Sequence, residues 1–290
     1  MKEGGFMKNE DFLTDVDDGL EMRETGPWVC DKYYYLQRYI HIFETSMREK
    51  WENRTYIDLF SGPGKCLDSK SNKVFIGSPL IALTTKYPFT KYYFVDINEE
   101  LISSLLQRCS YSSIKNRIVT YVGDSNEKVD KIINQIQQVQ GLNLALLDPE
   151  GFELKWTTII KLASINRMDL IIYYPQMGIN REMPKEIENI GETKIDLFFG
   201  GTEWRDIYRS YINKEDIFLH RNLLDLYKQK LQSIGYQEAK SIDEPENEPL
   251  IVNSQEAPLY RLIFASKHAK GQEFWRKITE KDPRGQKRLL

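Results

Sequence analysis

The chain has 290 residues, 41% of them hydrophobic and 29% charged, an ordinary globular composition and enough for one large domain with a sizeable core, or one domain plus a small accessory element. No apolar stretch approaches the roughly 20 residues a membrane-spanning helix needs, and Asp15, Asp17 and Asp18 interrupt the basic-then-apolar order of a signal peptide. Three scattered cysteines (Cys30, Cys66, Cys109) and three distant histidines (His41, His220, His268) indicate neither a disulfide framework nor a metal cluster, so a cytoplasmic, reducing location is expected.

The formal net charge of −3 hides an asymmetry. Residues 1–26 carry three basic against eight acidic side chains, a balance of −5, and residues 267–290 carry eight basic against three acidic, a balance of +5. The first segment lacks sustained periodicity and is expected to be a disordered arm. From Trp28 to about Trp51 apolar residues recur at three- and four-residue steps (Tyr33, Leu36, Ile40, Phe43, Met47), the pattern of an amphipathic helix covering a sheet.

After it the pattern alternates. Short β-rich runs predict strands near 54–60, 91–97, 117–123, 142–148 and 168–174, and the intervening stretches predict helices near 79–86, 99–109, 126–139 and 155–166. Strands separated by helical lengths mean βαβ crossovers and a mostly parallel sheet with helices on both faces. Beyond lie a cap or insertion at about 176–215, a long helix around 216–234, a Pro/Glu/Asn-rich link at 243–258, a strand at 259–265 and a final helix with Phe274, Trp275 and Ile278. The α/β domain is thus expected at 27–268, with a C-terminal helix and basic tail at 269–290.

Four places carry chemistry. The run Tyr56-Ile57-Asp58-Leu59-Phe60-Ser61-Gly62-Pro63-Gly64 is a buried strand ending in a glycine turn, where the backbone can approach a ligand that a Cβ would exclude. Asp96, ending the run Tyr92-Tyr93-Phe94-Val95 and followed by Ile97, is placed to accept both hydroxyls of a ribose, or to cap the next helix if Asn98 does not. Gly64 and Asp96 lie further apart than the roughly 20 residues usual for this spacing, which an inserted loop at 65–76 explains. Gly123-Asp124-Ser125 ends the third strand; Asp124 is a candidate acceptor for an adenine amine, with helix capping as the alternative. The fourth place is Leu147-Asp148-Pro149-Glu150-Gly151-Phe152, where Asp148 can receive an acceptor amine and Phe152 can stack on a base, or where an Asp-Pro turn simply ends a buried strand.

Carboxylates at the ends of four successive strands suit a methyltransferase better than a dinucleotide dehydrogenase, whose Gly-x-Gly-x-x-Gly would need a glycine where this chain has Leu67. The glycine-turn run, the segment Gly77-Ser78-Pro79-Leu80-Ile81-Ala82-Leu83, the segment Leu147 to Trp156 and the C-terminal Ala265-Ser266-Lys267-His268 with Gly271, Phe274 and Trp275 together resemble the three-Cys-motif partner protein family over most of residues 28–278. The resemblance implies a Rossmann-like methyltransferase fold with a mostly parallel seven-stranded sheet, and S-adenosylmethionine as cofactor. It also implies a partner protein bearing the cysteines, and a distant similarity to ribosomal RNA adenine-N6 methyltransferases. Those enzymes carry Asp-Pro-Pro-Tyr where this chain has Asp148-Pro149-Glu150-Gly151.

On that basis Gly62 and Gly64 make room for the methionine portion, and Asp58 holds its amino group beside Phe60 and Ser61. Asp96 with Ile97 takes the ribose, and Asp124 with Ser125 the adenine. Asp148, Pro149, Glu150 and Phe152 face the acceptor, with Glu150 as a proton acceptor. A nucleic-acid acceptor is favoured by the basic residues Lys277, Lys281, Arg284, Lys287 and Arg288, against a sequence pI near 5.8. The alternative is a cofactor-binding partner subunit without transferase activity. A nicotinamide-dependent oxidoreductase is the third reading.

Overall fold

A computed structural model describes residues 8–68, 70–236 and 248–286. Seven strands form the main sheet: β2 (Asn53–Asp58), β5 (Lys91–Asp96), β6 (Ile118–Val122), β7 (Gly141–Leu147), β8 (Met168–Tyr174), β9 (Leu250–Val252) and β10 (Pro258–Ala265). Their spatial order is β6-β5-β2-β7-β8-β10-β9. The first five are mutually parallel, and β10 lies antiparallel between β8 and β9. This is the Rossmann-like methyltransferase arrangement, with the strand order reversing between β2 and β7.

The residues of the central strands explain their place. Tyr56, Ile57, Phe94, Val95, Leu144, Ala145, Leu170 and Ile172 are all fully buried, as strands covered on both faces require. On one face pack α1 (Val29–Met47), α2 (Ser78–Leu83), α3 (Glu99–Cys109) and α10 (Ala269–Thr279), through Leu36, Leu80, Ile102 and Trp275. The other face takes α4 (Ser125–Ile136), α5 (Trp156–Ala163), α6 (Gln176–Glu186), α7 (Lys194–Phe199), α8 (Trp204–Ile212) and α9 (Leu219–Ser233). The expected cap at 176–215 is therefore three helices whose Ile179, Phe198 and Trp204 join the main core. Among the described residues, no helix is long and apolar enough to cross a membrane.

Two expectations are corrected. The segment 65–76 is not a loop: β3 (Lys65–Asp68) and β4 (Lys73–Ile76) form a hairpin. The second correction concerns the N-terminal arm, of which residues 1–7 lie outside the described residues. From residue 8 onward it is ordered: β1 (Arg23–Thr25) adds to β3 in parallel, making a second, three-stranded sheet. Most of its acids are exposed, but one is not. Asp18 is buried and bonds Arg108 through both oxygens (Nε 2.8 Å, Nη2 2.7 Å) and Lys65 Nζ at 2.8 Å. Arg108 also donates to the carbonyls of Leu20, Glu21 and Pro63, and Lys65 to those of Asp11 and Val16. Phe12 stacks on Tyr111 with ring centroids 4.0 Å apart.

Burial alone would raise the Asp18 carboxyl, but the hydrogen bonds from Arg108 and Lys65 hold it below its ordinary value. Its contribution is therefore present above the unfolded carboxylate pKa and lost as pH falls through the lower folded one. Asp18→Ala leaves two buried cations uncompensated and should cost about 3–5 kcal/mol, read at pH 7 from urea unfolding. A loss under about 1 kcal/mol would mean the triad behaves as a surface pair.

Candidate cofactor and acceptor site

Because β2, β5, β6 and β7 are parallel, their carboxyl ends share one edge, and a ligand crevice is expected where the order reverses. There Asp58 ends β2, Asp96 ends β5, and Asp124 and Asp148 closely follow β6 and β7. The glycine turn after β2 holds Gly62 at φ 61 and Gly64 at φ 88, a conformation glycine adopts without strain. The two glycines differ in what they face. A Cβ on Gly64 would come 2.9 Å from Leu105 and 3.2 Å from Leu80, so this glycine serves helix packing rather than ligand approach. A Cβ on Gly62 would meet the Arg23 guanidinium at 3.3 Å, so Gly62 faces that side chain.

Asp96 is not the cap of α3. Asn98 takes that role, accepting from the N–H groups of Glu100 and Leu101. Asp96 Oδ2 instead accepts from Gly62 N–H at 2.8 Å, which ties the second strand end to the glycine turn. Ile97 beside it is 74% exposed, an uncovered apolar side chain next to the ribose candidate. Ser61 N–H donates to the Val95 carbonyl at 2.8 Å, while Phe60 is half-buried against the core.

Asp58 is fully buried, and its Oδ2 has no hydrogen-bond partner among the described residues. Its Oδ1 accepts only a long 3.3 Å bond from Phe60 N–H. Burial drives the carboxyl up to about 7, and the Ser78 hydroxyl pulls the other way without completing a hydrogen bond to Oδ2. A buried acceptor left in this state costs stability unless a donor arrives.

Three candidates do other work than expected. Asp124 caps α4, its Oδ1 accepting from Asn126 N–H and Nδ2 at 2.8 Å each. Its claim on an adenine amine is thus shared with a structural duty. The Ser125 hydroxyl donates to the Leu59 carbonyl and is buried. Phe152 is not a free stacking ring: it is 8% exposed and packs edge-on against Phe198 at 5.5 Å. The apolar face it serves is that of α7, far along the chain, which no local spacing disclosed.

The sequence reading missed the two cations of the site. Lys32, on the first turn of α1, forms an ion pair with the buried Asp148 and lies 4.5 Å from the centre of the Tyr173 ring. Burial pushes the Asp148 carboxyl up, and Lys32 offsets part of that rise. Arg23 of β1 lies across the glycine turn, with Nη2 3.4 Å from Asp96 and Nε 3.3 Å from the exposed Glu150. Acidic neighbours on both sides of Arg23 in the sequence masked it. Of the two tyrosines that end β8, Tyr174 is core and Tyr173 is buried with its hydroxyl donating to the Lys32 carbonyl at 3.2 Å.

Beside Pro149, which is buried, and Glu150 opens a cleft of about 520 Å³ lined by Gly151, Pro175, Met177, Arg181 and Tyr260 among others. Met177 is 44% exposed there, and Arg181 is engaged by Glu182 at 2.9 Å. The edge therefore holds two adjoining parts: a carboxylate-lined turn, and a mixed apolar and charged cleft.

No family model matches the chain, and neither does any curated protein. Solved structures similar to it include a Legionella pneumophila protein of family DUF519, at 13% identity and TM-score 0.41, covering 56% of this chain and 74% of that one. A Pyrococcus horikoshii protein provisionally described as a transferase aligns at 10% identity and TM-score 0.39, covering 87% of this chain and 70% of that one. A conserved hypothetical protein of Streptococcus pyogenes aligns at 17% identity and TM-score 0.31, covering 47% and 74%.

The raised Asp58 pKa has a measurable consequence. Its stabilising contribution is complete below the unfolded carboxylate pKa of about 3.9 and is lost as pH rises through about 7. Asp58→Asn should therefore unfold with a weaker decline in stability between pH 4 and 7 than the wild type, by roughly 3–4 kcal/mol over that range. Parallel pH–stability curves for the two proteins would show instead that Asp58 is solvated.

Proposed function

We propose that this chain is an S-adenosylmethionine-dependent methyltransferase, acting on nucleic acid with a base amine as the favoured acceptor, and that it belongs with the three-Cys-motif partner proteins. The observation that supports it most is the unpartnered, buried Asp58 Oδ2 at the root of a glycine turn whose Gly62 faces the Arg23 guanidinium. An ammonium donor satisfies that oxygen, and the methionine end of the cofactor carries one. The exposed Ile97 beside Asp96 suits an adenosine flank equally well. The residues present thus fit the cofactor.

S-adenosylmethionine would supply an already activated methyl group, leaving the protein to align the nucleophile. Asp58 would hold the amino group, Asp96 the ribose hydroxyls, and Gly62 would give the backbone clearance. To serve the ribose, Asp96 exchanges its 3.4 Å contact with Arg23 for hydroxyl donors, while Arg23 keeps Glu150. On the acceptor side Asp148, fixed by Lys32, orients the incoming amine. Glu150, at the mouth of the adjoining cleft, takes its proton.

A second reading, a cofactor-binding subunit without transferase activity, is favoured by one observation: Phe152, the only aromatic of the Asp148 loop, borders the cleft but is 8% exposed and packed against Phe198, which leaves little of its ring for a base.

Titration of S-adenosylmethionine separates binding from transfer. Asp96→Ala and Gly62→Val should each weaken binding at least tenfold, Gly62→Val because valine is strained at φ 61 and its side chain would crowd Arg23. Affinity like the wild type's in both variants would sink the cofactor assignment. With labelled cofactor and pools of DNA, RNA and protein, with and without a partner protein, Asp148→Ala should abolish label transfer while retaining binding. Tight binding without transfer by the wild type to any pool would establish the subunit reading.

A further inference from the structure

A groove of about 770 Å³ runs along the outer side of α1, between that helix, the end of α2 and α10. Its lining is unusual for an acidic chain. Arg38 and His41 come from α1, Lys86 from the turn after α2 and Lys277 from α10, and all four are exposed. Among the described residues that line it, none carries a carboxylate. Arg38, Lys86 and Lys277 make no ion pair within the described residues. Arg38 bonds instead to the Tyr34 hydroxyl at 3.1 Å.

On α1 the positions Tyr34, Arg38, His41 and Thr45 are spaced by four, three and four residues, which puts them on one face. At 1.5 Å per residue they span roughly 16 Å, room for about five phosphates at the spacing of a stacked strand. The half-buried Tyr34 ring lies at one end, two residues from Lys32, which holds Asp148. Residues two apart on a helix face away from each other, so the groove lies on the other side of α1 from Lys32 and the candidate acceptor site.

We propose that this groove binds the sugar-phosphate backbone of a single-stranded nucleic acid, with Arg38, Lys86 and Lys277 on phosphates and Tyr34, whose ring centre lies 5.2 Å from the Arg38 guanidinium, holding that cation in place. Cations interleaved with hydroxyls and an aromatic, with no opposing carboxylate, are the recognition chemistry of such strands. The groove is open on one side, and at about 770 Å³ it has room for a few nucleotides of one strand. The basic C-terminal end acts here through Lys277; Lys287 and Arg288 lie outside the described residues. The inference deepens the nucleic-acid reading of the acceptor, yet the groove's binding needs no cofactor.

The test is fluorescence anisotropy with labelled 12-nucleotide single strands of RNA and of DNA, their duplexes, and polyglutamate as competitor, from 50 to 200 mM salt. Wild-type protein should bind single strands more tightly than duplexes. Arg38→Gln with Lys277→Gln should weaken binding about tenfold and reduce the salt slope by roughly 1.4, the share of two phosphate contacts. A control, Lys128→Gln with Lys131→Gln on α4, removes the same charge from the opposite face of the sheet and should change neither.

The proposal is overturned by no binding below about 100 μM at 50 mM salt, by equal effects of the two double variants, or by tighter binding of duplex. Polyglutamate competing as well as the oligonucleotides would point to an acidic protein instead and would also overturn it. S-adenosylmethionine titrated into the same variants keeps the two readings apart. Strand binding without cofactor binding leaves the groove standing and removes the methyltransferase reading, and the reverse outcome removes only the groove.

Discussion

Like charges crowded at one buried edge cannot all remain ionised without compensation, and this constraint organises the molecule. The parallel strands bring Asp58, Asp96 and Asp148 to the same edge. Two of the three have a cation: Lys32 for Asp148, and Arg23 for Asp96. Asp58 has neither a cation nor a hydrogen bond on Oδ2, and it is the one whose carboxyl rises to about 7. Neither cation belongs to the sheet. Both come from the N-terminal stretch, so the edge is completed by a segment that precedes the first strand of the main sheet.

That dependence explains why the N-terminal stretch is built as it is. Arg23 can reach across the glycine turn only if β1 is fixed, and β1 has a single neighbour, β3. The anchor is Asp18, which binds Arg108 of α3 and Lys65 of β3 together. A charge surplus of one sign along a sequence is therefore not the same as a solvated tail. Here one acid, Asp18, is taken inside by two cations that the fold supplies from elsewhere, while Glu10, Asp15, Asp17, Glu21 and Glu24 stay exposed.

The difference between what the sequence discloses and what it conceals follows the range of the forces. The main sheet was legible because each strand is a short apolar run bounded by turns, and period is a local property. Asp96 was legible too, since Asn98 stands ready as the helix cap and leaves Asp96 for another partner. Arg23, Lys32 and the burial of Phe152 were not. Each depends on a contact made by residues distant in the chain: Asp96 is 73 residues from Arg23, and Phe198 belongs to a helix four elements on from Phe152. The hairpin at β3 and β4 was concealed for a related reason. Its residues are few and mixed, and its stability comes from β1 on one side.

The order of the chain gives this anchor a further consequence. During synthesis residues 8–25 leave the ribosome before anything they bind, and Arg108 follows Asp18 by 90 residues. At the usual synthesis rate of about 5–20 residues per second, the segment waits for several seconds as an exposed acidic leader. It then docks only when α3 has folded back on β5. The completed edge is therefore a late assembly, closed by a segment made before the central strands but docked after they have met.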